Sequence, residues 1–255
     1  MLLAIDIGNT NITVGLYEGE NLAASWRIRT IQEKMPDEYG VLLDSLFKQR
    51  GYRLEQVSGV AIASVVPPLT PVFEQVCQDH VGQPEPLVVD AGVKTSVRIR
   101  YEPARAVGAD RVVDAVAVKA LHRLPACVVD FGTATTFDAV SAEGDYLGGA
   151  IAPGIGIAAR ALFERTAKLP RVDLTRPPAA IGRNTVHAMQ SGLLFGYVGL
   201  VEGMVARFRE ELGAETYVVA TGGLASLVAR ETHCIDVVDP WLTLHGLRLV
   251  YEMNR

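Results

Sequence analysis

The sequence of 255 residues predicts an α/β protein built from two similar halves, and three observations lead to that prediction. A short motif occurs twice, as LLAIDIGNT at 2–10 and as CVVDFGT at 127–133, with Asp, one residue, Gly and a polar side chain after an apolar run. Two more apolar runs with a short Gly-containing turn follow each copy, which is typical of a three-stranded antiparallel meander. Further along each half, Val- and Ile-rich runs alternate with helical stretches, as in buried parallel strands joined by right-handed crossovers.

We therefore expect each half to fold as a βββαβαβ unit. After the opening strand, the first half has predicted strands at 11–17 and 23–28, a helix at 37–50, a strand at 60–66, a helix at 71–81 and a strand at 86–90. After its opening strand, the second half has predicted strands at 135–140 and 146–152, a helix at 184–212, a strand at 217–223, a short helix and a strand at 234–239. The helix at 37–50 is expected to present Val41, Leu42, Ser45 and Leu46 on one face.

The repeat predicts two domains with a boundary near residue 115. These are an N-terminal lobe at 1–115 and a C-terminal lobe at 116–255, with a C-terminal helix that could pack back on the first lobe. A domain of about 100–200 residues is typical, and this division agrees with that size.

Composition predicts a soluble, cytoplasmic protein. Hydrophobic residues make up 49% of the chain, which excludes intrinsic disorder. A net charge of −5 without a long run of like charges argues against nucleic acid or an anionic membrane as the main partner. The three cysteines lie far apart, as free thiols of a reducing compartment do. The N-terminus lacks the basic region of a signal peptide, and the most apolar segment, 146–159, is too short and too broken by Gly and Pro to span a bilayer.

Four glycines of the long predicted helix, Gly192, Gly196, Gly199 and Gly203, have spacings that place them on one face. Small residues there permit close approach of another helix. Tight packing within the domain and a dimer interface are both compatible with this pattern, and the residues alone do not decide between them.

The two motif copies are candidate phosphate loops. Gly8 allows close approach of the backbone to a ligand, and Asn9, Thr10, Asn11 and Thr13 supply donors for phosphate oxygens. A carboxylate at a strand end can hold the accompanying cation. A single copy could be an ordinary hairpin turn, but two copies in facing halves would bring Asp6 and Asp130 to one cleft, with Thr10, Thr13, Thr133 and Thr135 around it. Such a cleft suits phosphoryl transfer, which needs mainly positioning and charge neutralisation.

A second candidate is the segment Gly108-Ala109-Asp110-Arg111 before the helical run at 112–121. Asp110 could simply stabilise the helix N-terminus. It could also accept a proton from a substrate hydroxyl while Arg111 binds an anion. Tyr101 and Arg105 lie just upstream and could line the same pocket.

Two glycine motifs have competing interpretations. The sequence ATGGL at 220–224 opens a short helix and could accept a flat group such as a nucleobase, or could be a plain turn. The sequence GIGIAA at 154–159 matches GxGxxA, but it follows the third strand of a meander and comes directly after Pro153. A dinucleotide fold needs this motif near its first strand, so we reject a nicotinamide site.

These motifs carry a family resemblance. The duplicated hairpins and the late Thr-Gly-Gly resemble the superfamily of acetate kinase, sugar kinases, heat-shock chaperones and actin. More closely, DIGNTNITVGLY, YEPARAVGADR, DFGTATTFD, GGAIAPG and ATGG, in this order, resemble the type III pantothenate kinases of bacteria. The resemblance covers nearly the whole chain, and GADR with DFGTATTFD is specific to that family. It implies a duplicated ribonuclease H-like, actin-like fold of two lobes with a central cleft.

The resemblance also implies ATP-dependent phosphorylation of pantothenate at its primary hydroxyl, the first step of coenzyme A synthesis. Asp110 matches the proton acceptor, and Asp130 matches the ligand of an activating monovalent cation, K⁺ or NH₄⁺, where the residues alone suggested Mg²⁺. Mg²⁺ would accompany ATP near Asp6. Thr185 matches a substrate contact supplied by the neighbouring subunit of a homodimer. The implied ATP contacts are Asp6, Ile7, Gly8, Asn9, Thr10, Asn11, Ile12, Thr13 and Thr133, and the implied pantothenate contacts are Tyr101, Gly108, Ala109, Asp110, Arg111 and Thr185.

Two alternatives remain from the sequence. One is a kinase of the same superfamily acting on another small hydroxy acid. The other is a nucleotide-binding regulatory protein of the same fold without catalysis. Asp6, Asp110, Asp130 and Thr133 are all intact, which counts against the second alternative because a binding module needs no general base.

Overall fold

The computed structural model describes residues 1–83, 85–90 and 92–255. The chain forms two compact units, and each is described by itself. Unit 1 comprises Met1–Ala117 together with Leu242–Arg255, and unit 2 comprises Val118–Trp241.

Unit 1 contains a five-stranded mixed sheet in the order β3-β2-β1-β4-β5. The strands are β1 (Leu2–Ile7), β2 (Asn11–Glu18), β3 (Asn21–Arg29), β4 (Gly59–Ser64) and β5 (Leu87–Val88). The first three form the antiparallel meander, and β4 and β5 extend it in parallel. The helices are α1 (Pro36–Gln49), α2 (Thr70–Val76, continued by a π-helical turn at Cys77–Val81), α3 (Ala109–Leu121, which passes into unit 2) and the C-terminal α7 (Leu242–Met253), which packs on β1 and β4.

Unit 2 repeats the same sheet order, β8-β7-β6-β9-β10. Its strands are β6 (Ala126–Phe131), β7 (Ala134–Val140), β8 (Tyr146–Pro153), β9 (Tyr217–Thr221) and β10 (Val237–Val238). Its helices are α4 (Ile155–Glu164), α5 (Thr185–Leu212) and α6 (Ala225–Ala229). The predicted duplication and the predicted α/β class are therefore confirmed, with α4 as an additional helix in the second copy.

Helix α1 buries a different face from the one that the sequence predicted. Tyr39, Leu43 and Phe47 have no exposed surface, whereas Val41 is 63% exposed. The buried residues recur at every fourth position, and their two aromatic rings pack on Phe73 and Trp26. The predicted face was wrong at Val41, because aliphatic residues were counted and the larger aromatic surface was not, but Leu46 of that face does pack, partly buried, against the core.

The two last strands of the sheets are shorter than predicted, since β5 and β10 contain two residues each where five and six were expected. Each of these strands pairs on one side with β4 or β9. Pro86 has no N–H to donate and directly precedes β5. Short edge strands of this kind leave few unpaired backbone groups.

Helix α5 packs on β6 and β7 through Val198, Val201 and Val205, which belong to the core of unit 2. Its glycines face elsewhere: a side chain added at Gly192, Gly196 or Gly199 would meet nothing within 4 Å. Tight packing within the domain is therefore the wrong interpretation of the glycine face.

By length and composition alone, α5 could cross a membrane, with 33% of its most apolar window buried. One helix of this kind is weak support for a membrane span, since core helices of soluble proteins pass the same test.

Candidate functional site

The first candidate phosphate loop is the tight turn that joins β1 to β2. The N–H of Gly8 donates to the carbonyl of Asn11 at 3.0 Å, and an added Cβ at Gly8 would lie 3.0 Å from that oxygen, so the turn favours glycine. Asn9, Thr10 and Asn11 are exposed at its tip. Donors for an anion are therefore concentrated at the end of a rigid hairpin.

Strand register determines which side chains of this hairpin share a face. Asp6 lies directly opposite Thr13, so the carboxylate and the hydroxyl lie on one side of the sheet. Ile7 and Ile12 are fully buried in the core of unit 1. Their assignment as ATP contacts can therefore involve only the backbone.

The second candidate loop, between β6 and β7, brings three oxygen-bearing side chains to one face. Asp130 pairs with Thr136 across the antiparallel ladder and with Thr221 across the parallel one. Gly132 and Thr133 are exposed at the tip of the turn. Thr136 and Thr221 therefore share a face of the sheet with Asp130, and the Thr136 hydroxyl donates to Asp138 at 3.1 Å.

Thr135 does not belong to this group, although the sequence suggested it. It pairs with Phe131, has no exposed surface and lies on the opposite face of β7 from Thr136, the face that carries the core of unit 2. Side chains alternate along a strand, so Thr135 and Thr136 cannot both face Asp130. Thr136 and Thr221 are the hydroxyls that we missed, and the hairpin register would have revealed the first of them.

At two positions of the second loop region, Gly222 and Gly154, neighbouring protein atoms leave no room for a side chain. Gly222 has φ +90°, and a Cβ there would overlap the Asp130 carboxylate and the backbone of Phe131. Gly154 lies so close to the carbonyls of Gly132 and Thr133 that a Cβ would overlap the Thr133 oxygen. Gly222 of ATGG, for which a flat ligand and a plain turn were both possible, thus leaves room for the Asp130 carboxylate. Gly154, the first glycine of GIGIAA, packs directly against the second loop.

Asp110 lies in the first turn of α3, in unit 1. Its Oδ1 accepts a hydrogen bond from the Arg111 N–H at 2.8 Å. A Cβ at Gly108 would lie 2.5 Å from the same oxygen, so glycine leaves room for the carboxylate. Burial raises the pKa of Asp110, and the Arg111 N–H and guanidinium offset only part of that rise. A raised pKa brings a carboxylate closer to the basicity that proton transfer at neutral pH requires.

The remaining predicted contacts are separated between the units. Tyr101 is 37% exposed in the segment before the 3₁₀ turn Ala104–Ala106 of unit 1. Thr185 is the exposed first residue of α5 in unit 2, directly after Asn184, whose side chain caps the helix by accepting from the His187 N–H at 2.8 Å. Unit 1 therefore carries the first loop, Tyr101 and Asp110, and unit 2 carries the second loop and Thr185.

Among the described ranges 1–83, 85–90 and 92–255, no group of three or more His, Cys, Asp or Glu side chains could hold a metal ion. A cation at Asp130 would instead use one carboxylate together with hydroxyl or backbone oxygens.

Comparison with known sequences shows the family, and comparison with solved structures shows the fold. A family profile described as type III pantothenate kinase matches residues 2–207. Relatives named type III pantothenate kinase from Moorella thermoacetica and Brevibacillus brevis are 56% and 55% identical, over 100% of both chains in each case. Among solved structures, a Campylobacter jejuni protein assigned to the Baf family of transcriptional activators matches with TM-score 0.62 at 18% identity over 99% and 98% of the two chains. A Sinorhizobium meliloti protein assigned as a 2-dehydro-3-deoxygalactonokinase matches with TM-score 0.55 at 14% identity over 99% and 96%.

The duplicated sheet order and the paired Asp-x-Gly hairpins give the fold, and the names of the sequence relatives place the chain among the small-molecule kinases. Within that class, the profile match and the full-length identities decide the family. The chain belongs to the type III pantothenate kinases.

Proposed function

We propose that this protein transfers the γ-phosphoryl group of ATP to the primary hydroxyl of pantothenate, forming 4'-phosphopantothenate and ADP at the start of coenzyme A synthesis. The observation that carries the proposal is full-length identity above 50% to proteins named for that reaction. The half-buried carboxylate of Asp110, whose pKa is raised by burial, supports it further because a kinase of an alcohol needs a proton acceptor.

In the proposed reaction, the hydroxyl oxygen forms a bond to the γ-phosphorus as the bond to the ADP oxygen breaks. Asp110 takes the hydroxyl proton, and Arg111 with Tyr101, Gly108 and Ala109 holds pantothenate. The backbone and side-chain donors of residues 6–13, together with Thr133, hold the phosphates. Magnesium near Asp6 and a monovalent cation at Asp130 would supply charge neutralisation.

The proposed assay measures ADP release from ATP and Mg²⁺ with a panel of small hydroxy acids, each in K⁺, NH₄⁺ and Na⁺ buffers. We expect pantothenate to be the preferred acceptor and K⁺ or NH₄⁺ to stimulate turnover over Na⁺. Equal turnover in Na⁺ would contradict the cation site at Asp130. ADP release with a different acid alone would support the alternative kinase, and nucleotide binding without any turnover would support the regulatory protein.

We propose a homodimer in which Thr185 completes the pantothenate site of the neighbouring subunit. Two features of unit 2 support it: the open glycine face of α5, and exposed apolar side chains that include Ile151 at 67%, Phe163 at 46% and Ile181 at 84%. Apolar side chains that a lone chain leaves in water are commonly covered by a partner.

Co-expression of two differently tagged variants, Asp110→Asn and Thr185→Ala, tests the shared site. Each homodimer lacks one group at both sites, whereas the mixed dimer regains one intact site from two different chains. We expect the mixture to recover about a quarter of wild-type activity. Activity equal to the average of the two separate variants would contradict a site shared between subunits.

A further inference from the structure

Thr30, the residue directly after β3, holds the first phosphate loop through two hydrogen bonds. Its Oγ1 donates to the carbonyl of Gly8 at 2.6 Å, and its N–H donates to the carbonyl of Thr10 at 3.0 Å. The peptide from Gly8 to Asn9 is trans, so its carbonyl and its N–H point in opposite directions. The hydroxyl of Thr30 therefore turns the Asn9 N–H away from Thr30.

Thr30 is itself held by the core of unit 1. Tyr39 of α1 is fully buried, and its hydroxyl accepts from the N–H of Ile31 at 3.0 Å and donates to the Ile31 carbonyl at 2.8 Å. The Tyr39 ring packs on Phe73 with centroids 4.8 Å apart. The segment of Thr30 and Ile31, which is hydrogen-bonded to the first loop, is thus also hydrogen-bonded to a helix that packs in the core. These bonds restrict the movement of the loop relative to the core.

In unit 2, the residue at the position equivalent to Thr30 also contacts the phosphate loop of its own unit. Gly154 follows the third strand of its meander, β8, as Thr30 follows β3. The backbone of Gly154 lies against the carbonyls of Gly132 and Thr133, in the loop equivalent to that of Gly8. Both loops are therefore supported from the same point of the fold, by a side-chain hydroxyl in one copy and by close backbone contact in the other.

We propose that Thr30 is a positioning residue for the nucleotide, which fixes the first loop in the conformation that binds phosphate oxygens. The proposal rests on the assignment of residues 6–13 to ATP. Pre-organised donors bind a phosphate without first losing conformational entropy, and a loop misplaced by about 1 Å can cost about 100-fold in rate.

The test uses Thr30→Val, which keeps the side-chain shape and removes the hydroxyl, and Thr30→Ser, which restores it. The matched control is Thr216→Val in unit 2, where the Thr Oγ1 also donates to a glycine carbonyl, that of Gly213, at 2.6 Å. We expect Thr30→Val to lower kcat/KM for ATP about 10- to 100-fold. The KM for pantothenate should stay within about twofold, and Thr30→Ser and Thr216→Val should remain within about threefold of wild type.

Calorimetric binding of Mg²⁺–ATP and a thermal melt accompany the kinetics. Weaker nucleotide binding by Thr30→Val, with a Tm close to that of Thr216→Val, would support positioning. Unchanged ATP parameters, or a parallel loss of ATP affinity, pantothenate affinity and Tm, would overturn it. Wild-type protein that binds ATP but does not phosphorylate pantothenate would refute the proposed function alone, and the binding comparison would still decide the role of Thr30.

Discussion

Replacing Asp110 by Asn should lower kcat about 10²- to 10⁴-fold, the range that loss of a general base usually produces. The amide keeps the size of the side chain and its ability to accept from the Arg111 N–H, but it cannot take a proton. Steady-state kinetics with saturating ATP and pantothenate measures the effect. Retention of wild-type turnover by a folded Asp110→Asn protein would remove Asp110 from the mechanism.

Because the pKa of Asp110 is raised, a pH profile and a thermal melt can serve as two controls for this experiment. The wild-type kcat/KM for pantothenate should fall as the pH falls through that pKa, because only the carboxylate can accept the proton, and the variant should lack this limb. A carboxyl whose pKa is higher in the folded than in the unfolded chain destabilises the fold as the pH rises between the two values. At neutral pH the Asn variant should therefore melt no lower than wild type, which separates loss of chemistry from loss of fold.

Replacing Gly222 by Ala should lower activity about 100-fold and abolish stimulation by K⁺. The new Cβ would overlap the carboxylate of Asp130, so the side chain that we assign to the monovalent cation must move. Misplacement of a positioned group by about 1 Å is sufficient for a loss of this size. Turnover measured in K⁺ and in Na⁺ separates the cation effect from a general loss of activity.

Gly51→Ala is the matched control for that variant. Gly51 has φ +79°, close to the +90° of Gly222, but a Cβ there would meet nothing within 4 Å. Both variants should lose about 1–2 kcal/mol of stability from the left-handed backbone, and Gly222→Ala should lose more because its Cβ also overlaps the backbone of Phe131. Only Gly222→Ala should lose cation dependence, and equal activity losses in the two variants would contradict the role of Gly222 in positioning Asp130.

The order of the strands along the chain and their directions could be predicted, because the local patterns that determine them occur in both copies of the repeat. The turn glycines, the apolar runs and the alternation with helices all lie within short windows, and both copies agree. The buried face of α1 was harder, because choosing Tyr39, Leu43 and Phe47 over Val41 requires knowing which rings the rest of unit 1 offers them.

For the candidate site too, some residues could be predicted from the sequence and others could not. Asp6 and Asp110 lie in recognisable sequence motifs, and the pairing of Asp130 with Thr136 follows from counting outward from the three-residue turn at 132–134. The roles of Gly222 and Thr221 depend on β9 lying beside β6, a contact between segments about 90 residues apart. The bond from Thr30 to Gly8 likewise joins residues 22 positions apart and has no local signature.

Phosphorylation of pantothenate is best tested by identifying the product that the purified protein forms from pantothenate, ATP, Mg²⁺ and K⁺. Mass spectrometry with phosphorus NMR would identify both the transferred group and the oxygen that carries it. We expect one phosphoryl group on the primary hydroxyl of pantothenate, formed in equal amount to ADP and greatly reduced with Asp110→Asn. Unmodified pantothenate, or phosphorylation at a different oxygen, would contradict it.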